Sequence, residues 1–342
     1  MKKKVLDCTF RDGGFHNNWE FSQDFVIRTV KALHDSGVDF IELGYRGKGE
    51  KSKIVDEEVL KSYGFEDKIK NKLFFMIDFK DYIHNNLLNY EKLEKDISSE
   101  IIHNIRVATS EEHIDLLIEN IDRIIELKEK VVVNLMSVFL IKDEKLNKIV
   151  KLFSTKNIYA LYFADSFGNL MPNKVGEITS IIKKGNMRIG FHSHSNMGLE
   201  MANVVAAMEN GASMIDSTIT GMGRGSGNIR TEQVLYYLQT SGEPYNVQKL
   251  LKVLPEFENL KTKYKWGWSL EYMISALNLI HPMYAQQILG KDKNKNFDFL
   301  HSIKGRTKFV KQYEEKIAVI IPARMDSTRF YGKPLALING TE

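Results

Sequence analysis

Cysteine is almost absent from the sequence, which contains one such residue, Cys8, among 342. A single thiol excludes an intramolecular disulfide, and with it the class of small secreted domains that disulfides hold together. Because Cys8 falls inside a run that predicts a buried strand, we expect a packed thiol rather than a nucleophile. A reducing cytoplasm is therefore the expected location.

Long apolar runs are also missing, and so is a large excess of charge of either sign. No run approaches the roughly 20 apolar residues of a membrane span, and the basic start from Lys2 to Lys4 leads into charged residues instead of the apolar core of a signal peptide. The 48 basic and 44 acidic residues leave a formal net charge of +4, which is too balanced to indicate nucleic acid or a membrane as partner. We expect small-molecule substrates.

The sequence does contain a regular alternation of short apolar runs with segments that have the three-to-four spacing of surface helices. The runs predict strands at 4–9, 39–43, 73–77, 101–107, 131–138, 158–163, 187–191 and 213–219. The intervening segments predict helices at 22–36, 111–128, 142–154, 173–184 and 198–211. Eight alternations predict an α/β fold, a parallel TIM (β/α)8 barrel over residues 1–228.

The pattern changes after Thr231, where no apolar strand separates the predicted helices 232–239, 247–254, 270–289 and 297–312. This predicts a C-terminal helical extension over 229–315. Its apolar face is expected to pack on the barrel or on a second subunit of a homodimer, and a lid over the site is the alternative. That face contains Trp266, Trp268, Tyr272, Met273 and Met283. Residues 316–342 predict the first strand and basic turn of a truncated nucleotide-binding unit.

Polar side chains follow the predicted strands at their carboxyl ends, which form the working face of such a barrel. His192 and His194 end the seventh strand, and alternate residues of a strand point the same way, so both imidazoles face one spot. Asp12 follows the first strand and Asn228 lies after the eighth. Such a set of a carboxylate, two imidazoles and an amide oxygen suits catalytic Mn²⁺, Mg²⁺, Co²⁺ or Fe²⁺ better than structural zinc.

Further residues at this face are candidates for contact with a substrate. An open metal site can hold a 2-oxo acid and stabilise negative charge on its keto oxygen when a neighbouring bond breaks. Arg11 can add a second positive charge there, a salt bridge being its alternative role, and Glu42 can orient Arg11 or a metal-bound water or serve the structure alone. Asp78, Ser137 and the backbone of Gly223 are the remaining candidates for substrate binding.

Several of these residues belong to motifs that resemble the metal-dependent aldolase and lyase superfamily, the DRE-TIM metallolyases. That superfamily includes hydroxymethylglutaryl-CoA lyase, isopropylmalate synthase and 4-hydroxy-2-oxovalerate aldolase, and the similarity covers roughly residues 4–275. The motifs are Thr9-Phe10-Arg11-Asp12-Gly13, Ile41-Glu42-Leu43-Gly44, His192-Ser193-His194-Ser195-Asn196-Met197-Gly198, Asp216-Ser217-Thr218 and Gly221-Met222-Gly223 with Gly227-Asn228.

The resemblance implies a role for each matched residue. Asp12, His192 and His194 would bind the metal, Arg11 would stabilise an enolate, and Asn228 matches a ligand position of the lyase branch.

One position departs from the pattern. The hydroxy-oxovalerate aldolases carry a histidine, proposed as the base, three residues after the metal-binding aspartate, where this chain has Phe15. His16, Tyr272 from the helical extension and a metal-bound water are the candidates for the base.

The C-terminal residues carry a separate resemblance, to the start of the cytidylyltransferases that activate 3-deoxy-ulosonic acids such as Kdo or sialic acid. It rests on Ile321-Pro322-Ala323-Arg324, Ser327-Thr328-Arg329 and Gly332-Lys333-Pro334-Leu335, with Tyr331 where that family has proline. The resemblance implies that Arg324 and Lys333 meet the phosphates of CTP and that the natural protein is a fusion.

The sequence thus predicts a class II-type pyruvate aldolase that uses a divalent metal, Mn²⁺ or Mg²⁺ with Co²⁺ as a further candidate. It would form or cleave a 4-hydroxy-2-oxo acid from pyruvate and a sugar-derived aldehyde, giving a 3-deoxy-2-ulosonic acid for later activation by CTP. An acyl-CoA-dependent condensing enzyme or lyase with the same metal site is one alternative. A non-catalytic barrel that scaffolds a cytidylyltransferase is the other.

Overall fold

The computed structural model describes residues 2–289 and residue 300. The chain divides into two compact units, Met1–Lys304 and Gly305–Glu342, and the described residues all belong to the first. The predicted unit 316–342 and, Leu300 apart, the predicted helix 297–312 lie outside the described residues. Within the described part of the chain, no helix combines the length and apolar character that crossing a membrane requires.

Eight parallel strands close into a barrel, which confirms the predicted TIM architecture. Each strand pairs with its neighbours in sequence, and the first pairs with the last, Val5 opposite Ile215, to close the ring. The strands are β1 (Lys4–Asp7), β2 (Phe40–Tyr45), β3 (Leu73–Asp78), β4 (Asn104–Thr109), β5 (Lys130–Leu135), β6 (Ala160–Ala164), β7 (Ile189–His192) and β8 (Met214–Ser217).

Helices surround the barrel, and each predicted interstrand helix lies close to its expected ends. Those between the strands are α1 (Thr9–Asn17), α2 (Gln23–Asp35), α3 (Glu57–Ser62), α4 (Asp67–Lys70), α5 (Tyr90–Ile97), α6 (Ile114–Leu127), α7 (Asp143–Phe153), α8 (Pro172–Lys183) and α9 (Glu200–Asn210). Short 3-10 helices lie at Gly49–Val55, Phe79–Tyr82, Val138–Leu140 and Ile219–Gly221, and a small hairpin pairs Ile83–His84 with Leu87–Leu88.

The first strand is shorter than predicted, because the chain turns into α1 at Thr9. The carboxylate of Asp7 accepts a hydrogen bond from the Thr9 backbone N–H at 3.0 Å, which fixes the turn. Arg11 and Asp12 therefore lie in the first turn of a helix and not in a loop.

The helical extension contains α10 (Thr231–Thr240), a 3-10 helix (Val247–Lys252), α11 (Leu254–Tyr264), α12 (Leu270–Leu277) and α13 (Pro282–Ile288). The single predicted helix 270–289 is wrong, because Leu279 adopts a left-handed φ of 55° and Pro282 starts a new helix. Trp266 is buried and donates through Nε1 to the Thr220 carbonyl at 3.1 Å, so the extension packs on the barrel. Trp268 stays 59% exposed.

The barrel interior has two layers of different chemistry. Toward the amino ends of the strands, apolar side chains such as Phe40 and Met214 form a closed cluster, and Gly190 leaves room for the Tyr162 ring, since a Cβ there would lie 2.1 Å from it. Side chains alternate with a period of two, and on four of the strands the inward-facing position two residues further along carries an ionisable group. These upper positions are Glu42, Arg106, His192 and Asp216, all buried.

Candidate metal centre

Three predicted metal ligands converge where β1 and β7 end. Asp12 lies in α1, His192 ends β7, and His194 in the next loop bridges to Asn228. The Nε2 atom of each histidine lies 3.8 Å from Asp12 Oδ2, and the two rings are 4.8 Å apart at 83°. One candidate ligand atom from each of the three lies within 4.8 Å of the others, and all three residues are buried. The cluster has the composition of a divalent-metal site.

Hydrogen bonds at the Nδ1 atoms of the two histidines determine which ring nitrogen is available to a metal. His194 Nδ1 lies 2.9 Å from the Asp165 carbonyl, which can only accept, so Nδ1 carries the proton and Nε2 keeps its lone pair. His192 Nδ1 lies 2.9 Å from Asp216 Oδ2, with the same consequence. Burial first, and then the neighbouring His192, lower the pKa of His194 to about 3, so its ring is neutral. Both lone pairs thus face Asp12, as metal ligands require.

The Asp12 carboxylate is held in its ionised form. Burial alone would raise its pKa, but Arg11 and then His192 and His194 lower it below the ordinary range. Arg11 Nη1 lies 2.7 Å from Asp12 Oδ1, which leaves Oδ2 facing the imidazoles.

Asn228 supplies the fourth predicted ligand position. Its Nδ2 lies 2.6 Å from Asp12 Oδ2, while its buried Oδ1 has no hydrogen-bond partner among the described residues. A buried orphan amide oxygen beside a carboxylate and two imidazoles fits a cation, since rotation of the amide turns that oxygen toward the same point. Gly223 completes the enclosure, because a Cβ there would lie 2.9 Å from Asp12 Oδ2.

A chain of alternating buried charges runs beneath this cluster and links two of its members. Glu42 accepts from Arg11 Nε at 2.8 Å through Oε2, and its Oε1 lies 2.7 Å from Arg106 Nε. Arg106 then binds Asp216 with both terminal nitrogens, at 2.6 and 2.9 Å. The buried ionic chain therefore runs Asp12, Arg11, Glu42, Arg106, Asp216, His192. Glu42 thus contacts Arg11, which is the arrangement that one of its three expected roles, the orientation of Arg11, requires.

Sequence reasoning missed Arg106 and gave Asp216 no role. The available signal was an arginine inside the apolar run Ile105-Arg106-Val107, since a charge in a buried strand needs a partner of opposite sign. Burial raises the pKa of Asp216, but Arg106 and His192 together outweigh it and lower the value to about 2.

Cys8 also lies near His192 and Asp216, as a second group of possible ligands. Its Sγ donates to the Ser217 carbonyl at 3.5 Å, and burial raises the pKa of its thiol well above the usual value. Cys8 is therefore a packed thiol, as expected, with 0% exposure.

The candidate bases differ in where they lie. His16 Nε2 donates to the Gly223 carbonyl at 2.8 Å, which places it beside the metal cluster, and burial lowers its pKa. Tyr272 is buried, and no hydrogen bond, ion pair or ring contact among the described residues joins it to that cluster. Burial also raises the pKa of Tyr272 above its ordinary value, so its phenol stays protonated.

Two predicted substrate-binding residues lie at the correct end of the barrel but contact other groups. Asp78 ends β3 and pairs with Lys48 at 3.2 Å, while the Ser137 backbone N–H donates to Ser166 Oγ at 2.8 Å. Among the described contacts, neither residue touches the metal cluster. Asp165 anchors the loop after β6 by accepting from the backbone of Asn169, and burial raises its pKa to about 7.

Comparisons with known proteins agree with this geometry. The sequence profile described as HMGL-like matches residues 2–260. The chain belongs to the HMGL-like family. The 4-hydroxy-2-oxovalerate aldolase of Geobacillus genomosp. 3 is 29% identical over 253 residues, which cover 70% of this chain and 71% of that protein. The protein of the same name from Carboxydothermus hydrogenoformans is 27% identical over 332 residues, 92% of this chain and 95% of the relative.

Two solved structures are also similar to this HMGL-like chain. The N-terminal domain of a Bacteroides vulgatus protein assigned as a candidate aldolase superposes with a TM-score of 0.73 and 30% identity, covering 85% of this chain and 98% of that domain. Hydroxymethylglutaryl-CoA lyase from Pseudomonas aeruginosa gives 0.59 with 15% identity over 74% and 90% of the two chains, which shows the shared fold.

The family and its aldolase relatives confirm that this HMGL-like chain is a metal-dependent aldolase or lyase, and that its cofactor is a divalent metal. Residues 318–342 separately match the profile described as cytidylyltransferase, and they lie outside the described residues. The individual roles of Arg11, Asp12, His16, Glu42 and the other site residues stay predictions.

Proposed function

We propose that the protein is a class II-type pyruvate aldolase, which forms or cleaves a 4-hydroxy-2-oxo acid. The observation that carries this proposal is the arrangement of Asp12, His192 and His194, with both Nε2 lone pairs directed at one carboxylate oxygen. The relatives named 4-hydroxy-2-oxovalerate aldolase support the reaction type.

Asp12, His192 and His194 would hold Mn²⁺ or Mg²⁺, with Asn228 Oδ1 as a further ligand. When bound, the metal supplies Lewis acidity that stabilises negative charge on the keto oxygen of pyruvate. Asp216 and the Asp165 carbonyl keep both imidazoles in the required tautomer.

Arg11 is oriented toward the reacting oxygen by its other contacts. Its Nε is held by Glu42 and its Nη1 by Asp12, and its Nη2 has no hydrogen-bond partner among the described residues. Glu42 and Asp12 fix the plane of the guanidinium, so Nη2 can donate to the developing enolate oxygen without rearrangement.

His16 is the base that the contacts favour. Because its Nε2–H donates to Gly223, its Nδ1 carries the lone pair, and burial keeps the ring neutral. In the synthetic direction His16 takes a methyl proton from pyruvate, the enolate carbon bonds to the aldehyde carbon, and the aldehyde oxygen takes up a proton. In the cleavage direction the 4-hydroxyl loses its proton, the C3–C4 bond breaks to release the aldehyde, and His16 returns a proton to the enolate carbon.

The C-terminal match supports a narrower substrate. A cytidylyltransferase of the kind resembled activates 3-deoxy-2-ulosonic acids, which are the products that a pyruvate aldolase makes from a sugar-derived aldehyde. Two enzymes on one chain often act in sequence, so we propose that the aldolase product is such an acid. The proposed domain organisation is a barrel at 1–228, the helical extension at 229–315 and the cytidylyltransferase unit from 316.

The test is exchange of the methyl protons of pyruvate in D2O, followed by proton NMR with Mg²⁺ and the purified full chain. We expect exchange that needs the metal and is abolished in His192→Ala, while exposed His84 serves as the control in His84→Ala. Pyruvate that stays unlabelled with Mg²⁺, Mn²⁺ and Co²⁺ would contradict the proposal. Condensation of acetyl-CoA with a 2-oxo acid, and a scaffold role for the barrel, would then be tested.

A further inference from the structure

Two cations share one aromatic ring at the rim of the metal centre. The Lys51 Nζ lies 4.9 Å from the Phe15 ring centroid, and the Arg224 guanidinium carbon lies 4.1 Å from the same centroid. Both positive charges therefore lie within 4.9 Å of the same ring centroid. Neither side chain forms an ion pair with a carboxylate among residues 2–289 and 300, so we call Lys51 and Arg224 the rim pair.

Neighbouring cations differ from the rim pair because they are neutralised. Lys48 pairs with Asp78 at 3.2 Å and also contacts Asp81. Burial first, and then the positive charges of Arg224 and Lys48, lower the pKa of Lys51, while Asp81 and Asp78 oppose this shift without forming an ion pair with it. A ring face attracts a cation by only about 0.5–2 kcal/mol, so it does not replace a carboxylate partner.

His281 is near Arg224 but offers it no acceptor. Its Nδ1 accepts a hydrogen bond from the Met283 backbone N–H at 3.2 Å, which places the proton of the neutral ring on Nε2. Arg224 Nη1 lies 3.4 Å from that Nε2, so two donors face each other. Burial, and then Arg224 itself, lower the pKa of His281 to about 3, so the ring is neutral.

The rim pair lies beside the reacting centre. Arg224 directly follows Gly223, and a Cβ added to Gly223 would lie 2.9 Å from Asp12 Oδ2. The Phe15 and Tyr45 ring centroids are 6.3 Å apart. The guanidinium carbon of Arg11 in turn lies 5.9 Å from the Tyr45 ring centroid. A second substrate at the metal centre would thus reach the rim pair with its far end.

We propose that Lys51 and Arg224 form a subsite for an anionic group, a carboxylate or a phosphate, carried by the aldehyde. This inference rests on the proposed aldolase function, in which the carboxylate of pyruvate occupies the metal centre and leaves the rim to the second substrate. Two unpaired cations on one ring gain most from a ligand that brings the missing negative charge.

The first test is binding of glycerol 3-phosphate, an unreactive phosphate ester, to the Mg²⁺-loaded full chain, followed by ligand-observed NMR with glycerol as its neutral counterpart. We expect the ester to bind and glycerol not to bind. The double variant Lys51→Gln/Arg224→Gln should weaken binding of the ester by about a hundredfold, because each of the two charged contacts contributes about tenfold. Lys151→Gln, an exposed lysine on the outside of α7, is the matched control.

The second test compares aldehydes that differ in charge, with pyruvate as co-substrate. Glyceraldehyde 3-phosphate is set against glyceraldehyde, and succinic semialdehyde against butanal, which separates a phosphate from a carboxylate. The readout is the ratio of kcat/KM within each pair, in which losses that affect both members cancel. We expect wild type to prefer one anionic member, and each single variant to lower that ratio about tenfold.

The outcomes separate this inference from the proposed function. Equal binding of the ester by wild type and the double variant, or the same aldehyde ratios in both, would overturn the subsite. Absence of pyruvate exchange together with rim-dependent binding of the ester would overturn the aldolase and leave the anion subsite standing.

Discussion

The buried ionic chain and the rim pair are close in space and opposite in organisation. Four residues of the buried ionic chain each have a partner of opposite charge within hydrogen-bond distance, and none of the four is more than 4% exposed: Arg11, Glu42, Arg106 and Asp216. At the rim, Lys51 and Arg224 are partly exposed, and neither forms an ion pair with a carboxylate among the described residues. Paired, buried charges fix the geometry of catalysis, whereas unpaired, accessible charges are suited to a ligand that arrives and leaves.

The largest expected effect comes from breaking the ionic chain at its centre. Arg106→Met leaves Glu42 and Asp216 buried without their shared cation, and we expect the free energy of unfolding to fall by about 3–5 kcal/mol. The measurement is urea denaturation. Arg123→Met, an exposed arginine on α6, is the control and should change stability by less than about 0.5 kcal/mol. Equal losses in the free energy of unfolding of both variants would show that the buried ionic chain contributes no special stability.

Arg11→Lys tests whether the buried ionic chain contributes to catalysis. Lysine cannot contact Glu42 and Asp12 and still present a third nitrogen to the substrate, so we expect pyruvate exchange to slow about 10²- to 10³-fold. The measurement is the NMR exchange rate at saturating Mg²⁺. Arg188→Lys, at the opposite end of the barrel, should exchange at the wild-type rate. A wild-type rate in Arg11→Lys would remove Arg11 from the mechanism.

Asp216→Asn tests the tautomer argument. The amide presents its NH2 group to His192 Nδ1 in one orientation, which moves the ring proton to Nε2 and turns the lone pair away from Asp12. We expect Mg²⁺ or Mn²⁺ affinity to fall about 10- to 100-fold, measured by calorimetry. Asp115→Asn, exposed on α6, should bind metal like wild type. Unchanged affinity in Asp216→Asn would assign Asp216 to stability alone.

Asp7 gives the smallest effect, because this buried carboxylate does not belong to the buried ionic chain and forms no ion pair with any described residue. Burial raises its pKa to about 6, so the folded state binds this proton more tightly than the unfolded state does. Its contribution to stability is complete below about pH 4 and is lost as the pH rises through about 6. We expect Asp7→Asn to be more stable than wild type by about 1–2 kcal/mol at pH 7 and equal at pH 4. A difference independent of pH would contradict this.

Much of the fold follows from the sequence, because a barrel strand buried on both sides needs an apolar run that local composition reveals. Helix α1 could not be predicted, since Thr9–Asn17 contains two glycines and little helical periodicity, and tertiary contacts decide its conformation. Likewise the two helices within 270–289 depend on one turn at Leu279.

The metal cluster was predictable because strand ends indicate which side chains share a face: His192 is the last residue of a strand, and His194 and Asp12 lie shortly after strands. The same rule fails for Asp78 and Ser137, since it gives the end of the barrel but not the partner that each side chain contacts. Arg106 lay inside a strand, where only its lack of a sequence-local partner could have indicated a long-range ion pair. The predicted homodimer and cytoplasmic location stay predictions.

The central claim is that Asp12, His192 and His194 form one divalent-metal site. Isothermal titration of the full chain with Mn²⁺ tests it most directly, with His194→Ala as the variant and His84→Ala as the control. The account predicts saturable binding to wild type and His84→Ala, and no measurable binding to His194→Ala. Equal Mn²⁺ affinity in wild type and His194→Ala would contradict it.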